Sequence, residues 1–269
     1  MSTETLQVCC RQRDYLVTAT HRDFWTSLAQ GDWEPETFDL LDDCVNADTT
    51  YVDIGSWIGP TLLYAAGRAG CSFGFEPDPV AHQILARNVA LNPQLPGIRL
   101  SACAIAAHPG QSRMGSGSAP GDSMSSLLFA DQSANWPVEL KTIEQVEALL
   151  PERSPLFVKI DIEGGEYQLL PALRGFIRRR QPTLYLSLHP HFFMRPWLGR
   201  GRLRQLAGEC ALFFTTLRAQ ATIREFPHLY APAGGRLTPA DLLRRPQWRY
   251  GLGLVLSFVP IPRLETRAP

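Results

Sequence analysis

Short apolar runs alternate along the chain with stretches of helical composition. Strands are expected at residues 50–54, 71–75, 98–105, 156–162, 183–188, 211–217 and 252–258. Helices are expected at 60–69, 80–91, 142–150, 166–179 and 202–210. Prolines mark several ends: Asn92-Pro93, Pro151 and Gln181-Pro182 each close a predicted helix. Runs such as LFVKI and TLYLSL are nearly continuous in apolar character, as in strands buried on both faces of a parallel sheet. Repeated strand–helix units then give an α/β class, a Rossmann-like doubly wound sheet with helices on both faces. Residues 107–122, rich in Gly, Ser and Pro, read as a long loop, and 107–128, with Ser125 and Ser126, as a candidate lid. Residues 1–35 read as a helical N-terminal cap and residues 36–269 as a single ligand-binding domain.

The first of these strands ends in an acid and runs into a glycine turn, YVDIGSWIG at 51–59. A dinucleotide fingerprint needs G-x-G-x-x-G so that bare backbone can approach a pyrophosphate. Here only Gly55 and Gly59 are present, and a pyrophosphate would meet Trp57. An adenosine ligand without phosphate suits this turn better. Glu76 closes the second strand, FGFEP, where an acid is placed to take both hydroxyls of a ribose. Adenosine held in this way is what S-adenosylmethionine offers. The bland alternative is a strand, a turn and a helix with a capping acid.

Four segments in this order, YVDIGSWIGPTLLYAA, FGFEPDPVAHQILARNVALN, TIEQVEALL and LFVKIDIEGGEYQLLPAL, resemble FkbM-type S-adenosylmethionine-dependent methyltransferases. The resemblance covers roughly residues 31–190, and VKIDIEGGE is its most distinctive piece. It implies a class I methyltransferase fold with a seven-stranded, mostly parallel sheet. It also implies O-methylation of a hydroxyl on a sugar, a glycolipid or a polyketide-type natural product. Carried over by position, Asp53, Gly55, Ser56 and Gly59 would line the methionine end of the cofactor. Glu76 would hold the ribose, Pro77 and Asp78 would shape the turn behind it, and Ala104 would lie near the adenine. The chain departs from the family where Ser56-Trp57 replaces Ala-Asn, where Ile143-Glu144 replaces Leu-Asp, and where the strand after VKIDIEG ends SLHPHF rather than in Glu. The first departure suggests that Trp57 packs against the N-terminal cap.

Methyl transfer to an alcohol needs an aligned nucleophile and either a base or a metal. Asp161 and Glu163, two apart at the end of the fourth strand, are expected to share a face. His189 ends the next strand, with His191 two further on. The expected arrangement is His189 as base, oriented by Asp161 or Glu163. Metal assistance through the same side chains is the alternative, with a divalent cation as a second cofactor. The plain reading of His189 is a turn residue before Pro190. Glu163 could equally brace the Gly164-Gly165 turn, Glu166 suits a helix N-terminus, and Lys159 is expected to pair with a neighbouring acid. Trp33 and Glu34 are candidates for closing the methionine end, and His191, Phe192, Phe193, Arg195 and Trp197 for the acceptor pocket.

Composition narrows the setting. Hydrophobic residues make up 45% and charged residues 19%, with a formal net charge of zero, which disfavours disorder and coiled coil. Only Lys141 and Lys159 are lysines. Between Arg174 and Arg249 the sole acids are Glu209, Glu225 and Asp241, so the C-terminal half is basic. Arg200, Arg202 and Arg204 could face an anionic ligand or only water. Six cysteines show neither a CxxC pair nor zinc spacing. The N-terminus lacks a signal-peptide pattern and residues 251–262 are too short to span a bilayer, so a cytoplasmic, soluble protein without a membrane span is expected.

Three rivals remain. An amino-group nucleic-acid methyltransferase would carry Asn/Asp-Pro-Pro-Tyr after the fourth strand, where this chain reads DIEG, and no basic stripe interleaved with aromatics is visible. A nicotinamide oxidoreductase would need the third glycine. A catalytically inactive S-adenosylmethionine-binding module is separated from an enzyme only by an activity assay.

Overall fold

The computed structural model describes residues 4–116, 120–130, 134–197, 201–243 and 252–266. Arg200 lies outside them. The chain opens with a hairpin of β1 (Thr5–Cys10) and β2 (Arg13–Thr18), followed by α1 (Arg22–Gln30) and α2 (Pro35–Cys44). The expected helical cap is therefore half sheet. Val8, Cys10, Tyr15 and Val17 are buried while their neighbours face out, a period of two. Arg11 and Gln12 both adopt left-handed backbone at the turn (φ 48° and 67°), which matches the twist of a two-residue hairpin. Without Asn-Gly there, the turn carries no sequence signal.

The central sheet contains β3 (Thr50–Ile54), β4 (Cys71–Phe75), β5 (Ile98–Ser101), β9 (Leu156–Ile160), β10 (Thr183–Leu188), β11 (His228–Tyr230) and β12 (Leu252–Ser257). Their order is β11-β12-β10-β9-β3-β4-β5. Strands from β10 to β5 run parallel, and β12 and β11 are antiparallel to their neighbours. Alternate residues of each strand feed opposite cores. Val52, Ile54, Val158, Ile160, Leu184 and Leu186 join one cluster, whereas Tyr51, Phe157 and Tyr185 join the other. Helices α3 (Pro60–Ala66) and α4 (Pro79–Ala90) cover the second face with α1 and α2. On the first lie α5 (Ile143–Glu147), α6 (Glu166–Leu169), α7 (Arg174–Arg180), α8 (Pro190–Met194) and α9 (Arg202–Ile223); α10 (Pro262–Thr266) ends the described chain.

The doubly wound sheet stands as expected, and its details correct four expectations. The strand foreseen at 98–105 breaks at Ala102: β5 stays in the main sheet, while β6 (Cys103–Ile105) enters a second sheet with β7 (Gly110–Ser116) and β8 (Ala134–Lys141). The long loop thus contains a strand, hidden by its Gly and Ser content. The helix foreseen at 166–179 is split by a 3-10 turn over Leu170–Leu173, because Pro171 cannot donate to a helical ladder. The strand foreseen at 211–217 lies inside α9, where ALFFTTL distributes over two helix faces.

The hairpin is fastened to α4 by side chains acting as a substitute strand. Asn88 Oδ1 accepts from the Thr18 N–H at 2.8 Å, and Asn92 Oδ1 accepts from the Leu16 N–H at 3.0 Å. The Asn92 amide returns a hydrogen bond to the Leu16 carbonyl at 2.8 Å.

Candidate active site

The strand order reverses between β3 and β9, so a crevice opens beyond their carboxyl ends. The β3–α3 turn lines it. Gly55 sits at φ 89°, and a Cβ there would fall 1.9 Å from the Asp161 carbonyl oxygen, so only glycine fits. The N–H groups of Gly55 and Ser56 both donate to the Phe75 carbonyl, tying this turn to the end of β4. Trp57 is left-handed (φ 47°), and its N–H donates to Glu76 Oε2 at 2.8 Å. Glu76 Oε1 accepts from the Asp78 N–H, also at 2.8 Å. Burial pushes the Glu76 carboxyl up to about 7, against the pull of these two backbone donors.

Gly55, Trp57, Glu76, Pro77 and Ala104 line a cleft with about 600 Å³ of empty space, walled by Phe75, Ile105 and Met114. A second cavity of about 660 Å³ adjoins it, lined by Phe24, Trp33, Glu34, Ser56, Lys159 and His189 among others. The two share Gly55, Trp57, Ser123, Asp161 and Glu163. Trp57 packs against the N-terminal segment as expected, its ring 4.6 Å from Phe24 and 5.2 Å from His21. Its indole N–H donates to the Gly121 carbonyl at 3.0 Å. Asp78 caps α4 through Oδ1, and its Oδ2 accepts from the Gly121 N–H and the Ser125 hydroxyl. Ser126 donates to the Glu163 carbonyl at 2.8 Å. Residues 121–126 are thereby drawn to the shared wall, where Ser123 lines both cavities.

Asp53 and Gly59 lie beneath the turn, among neither set of lining residues. Asp53 is fully buried, its Oδ2 accepts from the Thr61 hydroxyl at 2.8 Å, and its Oδ1 is 3.8 Å from Lys159 Nζ. It supports the turn from beneath. Its register partner across the sheet is Lys159, whose burial is outweighed by Asp161 and Asp53, so the ammonium stays charged. Lys159 Nζ reaches Asp161 Oδ2 at 3.0 Å, the expected pairing with an acid.

Asp161, Glu163 and His189 do converge, although β9 ends at Ile160 and the first two are not strand neighbours. Glu163 reaches the site through left-handed backbone, φ 55°. His189 Nε2 is 3.6 Å from Asp161 Oδ1 and 3.7 Å from Glu163 Oε2, while Nδ1 meets Glu166 Oε1 at 3.0 Å. Burial opposes the charge on His189, but Glu166, Asp161 and Glu163 together raise it to about 9. Burial would likewise raise Asp161, and Lys159 and His189 hold it below its ordinary value instead. Glu163 is pushed up to about 8, mainly by burial, and its Oε2 is buried without a hydrogen-bond partner among the described residues.

Sequence reasoning missed how much Glu166 does. It is fully buried and also takes the N–H groups of Ile162 and Gly164, so it braces the turn for which Glu163 was the alternative candidate. The expected acceptor-pocket residues are placed elsewhere. Phe192 packs on Phe129, Phe193 on Tyr167, Arg195 lies over the Phe129 ring, and His191 stacks on Phe192. None of these, nor Trp197, lines either cavity. Phe24, Trp33 and Glu34 of the N-terminal segment line the second cavity instead.

A mostly parallel sheet with an antiparallel pair at one end, a glycine turn after its first strand and a buried acid after its second is the class I methyltransferase fold. Residues 43–212 match the methyltransferase FkbM domain family, and the chain belongs to that family of S-adenosylmethionine-dependent enzymes. No curated protein matches it. Among solved structures it is similar to the methyltransferase FkbM from Methylobacillus flagellatus KT at 16% identity and a TM-score of 0.43, covering 86% of this chain and 52% of that one. The chain thus spans about half the length of that relative. It is also similar to an rRNA methylase from Streptococcus thermophilus (11% identity, 83% of this chain and 95% of that one, TM-score 0.41). A third is the Pyrococcus abyssi tRNA (uracil-54, C5)-methyltransferase in complex with S-adenosyl-L-homocysteine (12%, 96% and 45%, TM-score 0.40).

The first cleft fits the cofactor this family uses. Gly55 lets the turn lie directly against the Asp161 carbonyl at the cleft wall, and each Glu76 oxygen holds one backbone donor while keeping a lone pair for a hydroxyl. No helix among the described residues is long and apolar enough to cross a membrane.

Proposed function

We propose that this protein methylates a hydroxyl of a sugar, a glycolipid or a polyketide-type natural product, with residues 1–35 as a cap on a transferase domain at 36–269. The observation that supports this most is the shared wall. Asp161 and Glu163 face both the cleft with Glu76 and the more polar cavity beside it, so a cofactor in one and an acceptor in the other would meet at their side chains. When bound, S-adenosylmethionine supplies a methyl carbon on a sulfonium, which leaves as a neutral thioether with the electron pair of the broken C–S bond. The chain must bring an alcohol oxygen in line and take its proton.

His189 as the base meets a physical objection. Both ring nitrogens face carboxylates, and the ring holds its proton at neutral pH. Glu163, which lines the shared wall and is pushed up only to about 8, gives up its proton more readily than His189; the fraction ionised at and above neutral pH can take the hydroxyl proton, as a stronger base than an ordinary carboxylate. His189 then stabilises the cluster as a cation, and Asp161, held by Lys159, orients it. Phe24, Trp33 and Trp57 offer rings on which a sugar face can lie.

The second reading is metal assistance. One ligand atom each from Asp161, Glu163 and His189 lies within 4.8 Å of the others, a spacing that suits a divalent cation. A nucleic-acid acceptor is disfavoured by Asp161-Ile162-Glu163-Gly164 in the place of the amino-group motif. A cytoplasmic setting is supported by six free cysteines.

Calorimetry with S-adenosylhomocysteine, followed by label transfer from S-adenosylmethionine to a panel of methyl glycosides, glycolipids and macrolides, tests the reading. Wild type binds and transfers, Glu163→Gln binds without transferring, and EDTA leaves the rate unchanged. Loss of transfer in EDTA, restored by Mn²⁺, would select the metal reading. Failure of wild type to bind S-adenosylhomocysteine would sink both.

A further inference from the structure

α9 is apolar on two opposite faces and, among the described residues, covered on only one. Leu212, Thr216, Ala219 and Ile223 turn inward onto the sheet. Gly208 allows contact with the chain ahead of it, since a Cβ there would lie 2.7 Å from the Trp197 side chain and 3.0 Å from Met194. On the outer side, Leu203, Leu206, Ala207, Cys210, Phe214, Leu217 and Ala221 recur every three or four residues, and all are exposed. Leu203 is 85% exposed, Leu206 56%, Phe214 62% and Leu217 38%. At about 100° per residue they form one stripe, about 27 Å long, opposite the buried face. A helix apolar all round is ordinarily covered all round, and a stripe of large side chains in water marks an interaction surface.

The flanking charges identify what covers it. Arg204 and Arg218 border the stripe on one side and Arg202 on the other. All three are exposed and without ion-pair partners among the described residues. The acid on this helix is Glu209. A second copy is a poor occupant: an antiparallel two-fold contact centred near Cys210 would set Arg204 of each copy beside Arg218 of the other, like charge against like. A nucleic acid would leave the leucines and Phe214 unsatisfied. Apolar side chains between arginines whose stems can reach outward fit the boundary of an anionic lipid bilayer.

We propose that α9 is a membrane-docking helix, lying in the headgroup region of an anionic lipid surface without crossing it. α9 packs on α8, which begins directly after His189, so the docked face and the acceptor cavity share a structural neighbour. The surface stands independently of the transfer reading. Together with that reading, on which this step rests, it selects the glycolipid among the three acceptor classes.

Co-sedimentation of the full chain with phosphatidylcholine vesicles, with and without phosphatidylglycerol, tests this, with light scattering of the protein alone beside it. Binding is expected to vesicles carrying phosphatidylglycerol and to fall as salt rises. A Leu206→Glu, Phe214→Glu variant should lose it. An Arg202→Ser, Arg204→Ser, Arg218→Ser variant should lose about 100-fold, from a factor of about five per arginine near the surface. Both variants change only exposed side chains and should still bind S-adenosylhomocysteine, so a failed cofactor reading shows separately. Equal binding by wild type and variants, no binding to either vesicle, or a dimer that Leu206→Glu, Phe214→Glu disrupts would overturn the proposal.

Discussion

The Trp57 main-chain N–H donates to the Glu76 carboxylate at 2.8 Å, so the acid that closes the second strand also holds the glycine turn that follows the first. Removing Glu76 therefore does two things. Glu76→Ala leaves the N–H groups of Trp57 and Asp78 without partners, at about 1–3 kcal/mol each. It also strips the ribose position of its acceptor. Calorimetry should show S-adenosylhomocysteine binding weakened more than tenfold, and chemical denaturation a lowered midpoint. Unchanged affinity would dissociate Glu76 from the cofactor.

The same carboxyl gives a pH signature. Burial raises it from 4.5 to about 7 in the folded protein, so the folded chain binds this proton more tightly than the unfolded one. Its contribution to stability is complete below the unfolded value and is lost as pH rises through 7. Acceptance of hydroxyl hydrogen bonds needs the ionised form, so cofactor affinity should move the other way and improve from pH 6 to pH 8. Titrations in two buffers of different ionisation enthalpy should show proton release on binding near pH 7. A flat pH profile would contradict it.

Gly55→Ala places a methyl group 1.9 Å from a carbonyl oxygen at a left-handed position. A cost above about 3 kcal/mol is expected from the clash and the backbone strain together. Binding of S-adenosylhomocysteine should be abolished and the melting temperature lowered. Normal binding by this variant would show that the turn can open without loss.

Asn88 is fully buried, takes the Thr18 N–H and donates to the Ile58 carbonyl at 2.9 Å. Asn88→Ala leaves both unsatisfied, and about 2–4 kcal/mol of destabilisation is expected from the two lost hydrogen bonds. Hydrogen exchange should locate the loosening in β2 before it reaches the central sheet. Uniform loosening would show that the hairpin and sheet unfold as one.

Much of this was legible along the chain. Strand-end positions disclosed Asp161, Glu163, His189 and Glu76, because in a parallel sheet the carboxyl ends of neighbouring strands share one crevice. The glycine turn disclosed what it excludes. The roles were harder to read. Asp53 looks outward in sequence, yet Thr61 and Lys159 hold it inside. His189 looks like a free base until Glu166, on another element, is seen against its Nδ1. The apolar face of β7 and β8 is Met114, Trp136 and Val138, of which Met114 sits alone in a Gly- and Ser-rich stretch and the other two flank Pro137. ALFFTTL has strand-like composition, and only its place on two faces of α9 shows why it is helical.

The bonds from Asp78 to Gly121 and Ser125, and from Trp57 to Gly121, have a consequence for timing. They hold residues 121–126 at the cleft that faces Glu76. On the proposed transferase reading, a product that leaves past this segment has to break several of these bonds together, and the first turnover is then expected to run ahead of the steady state.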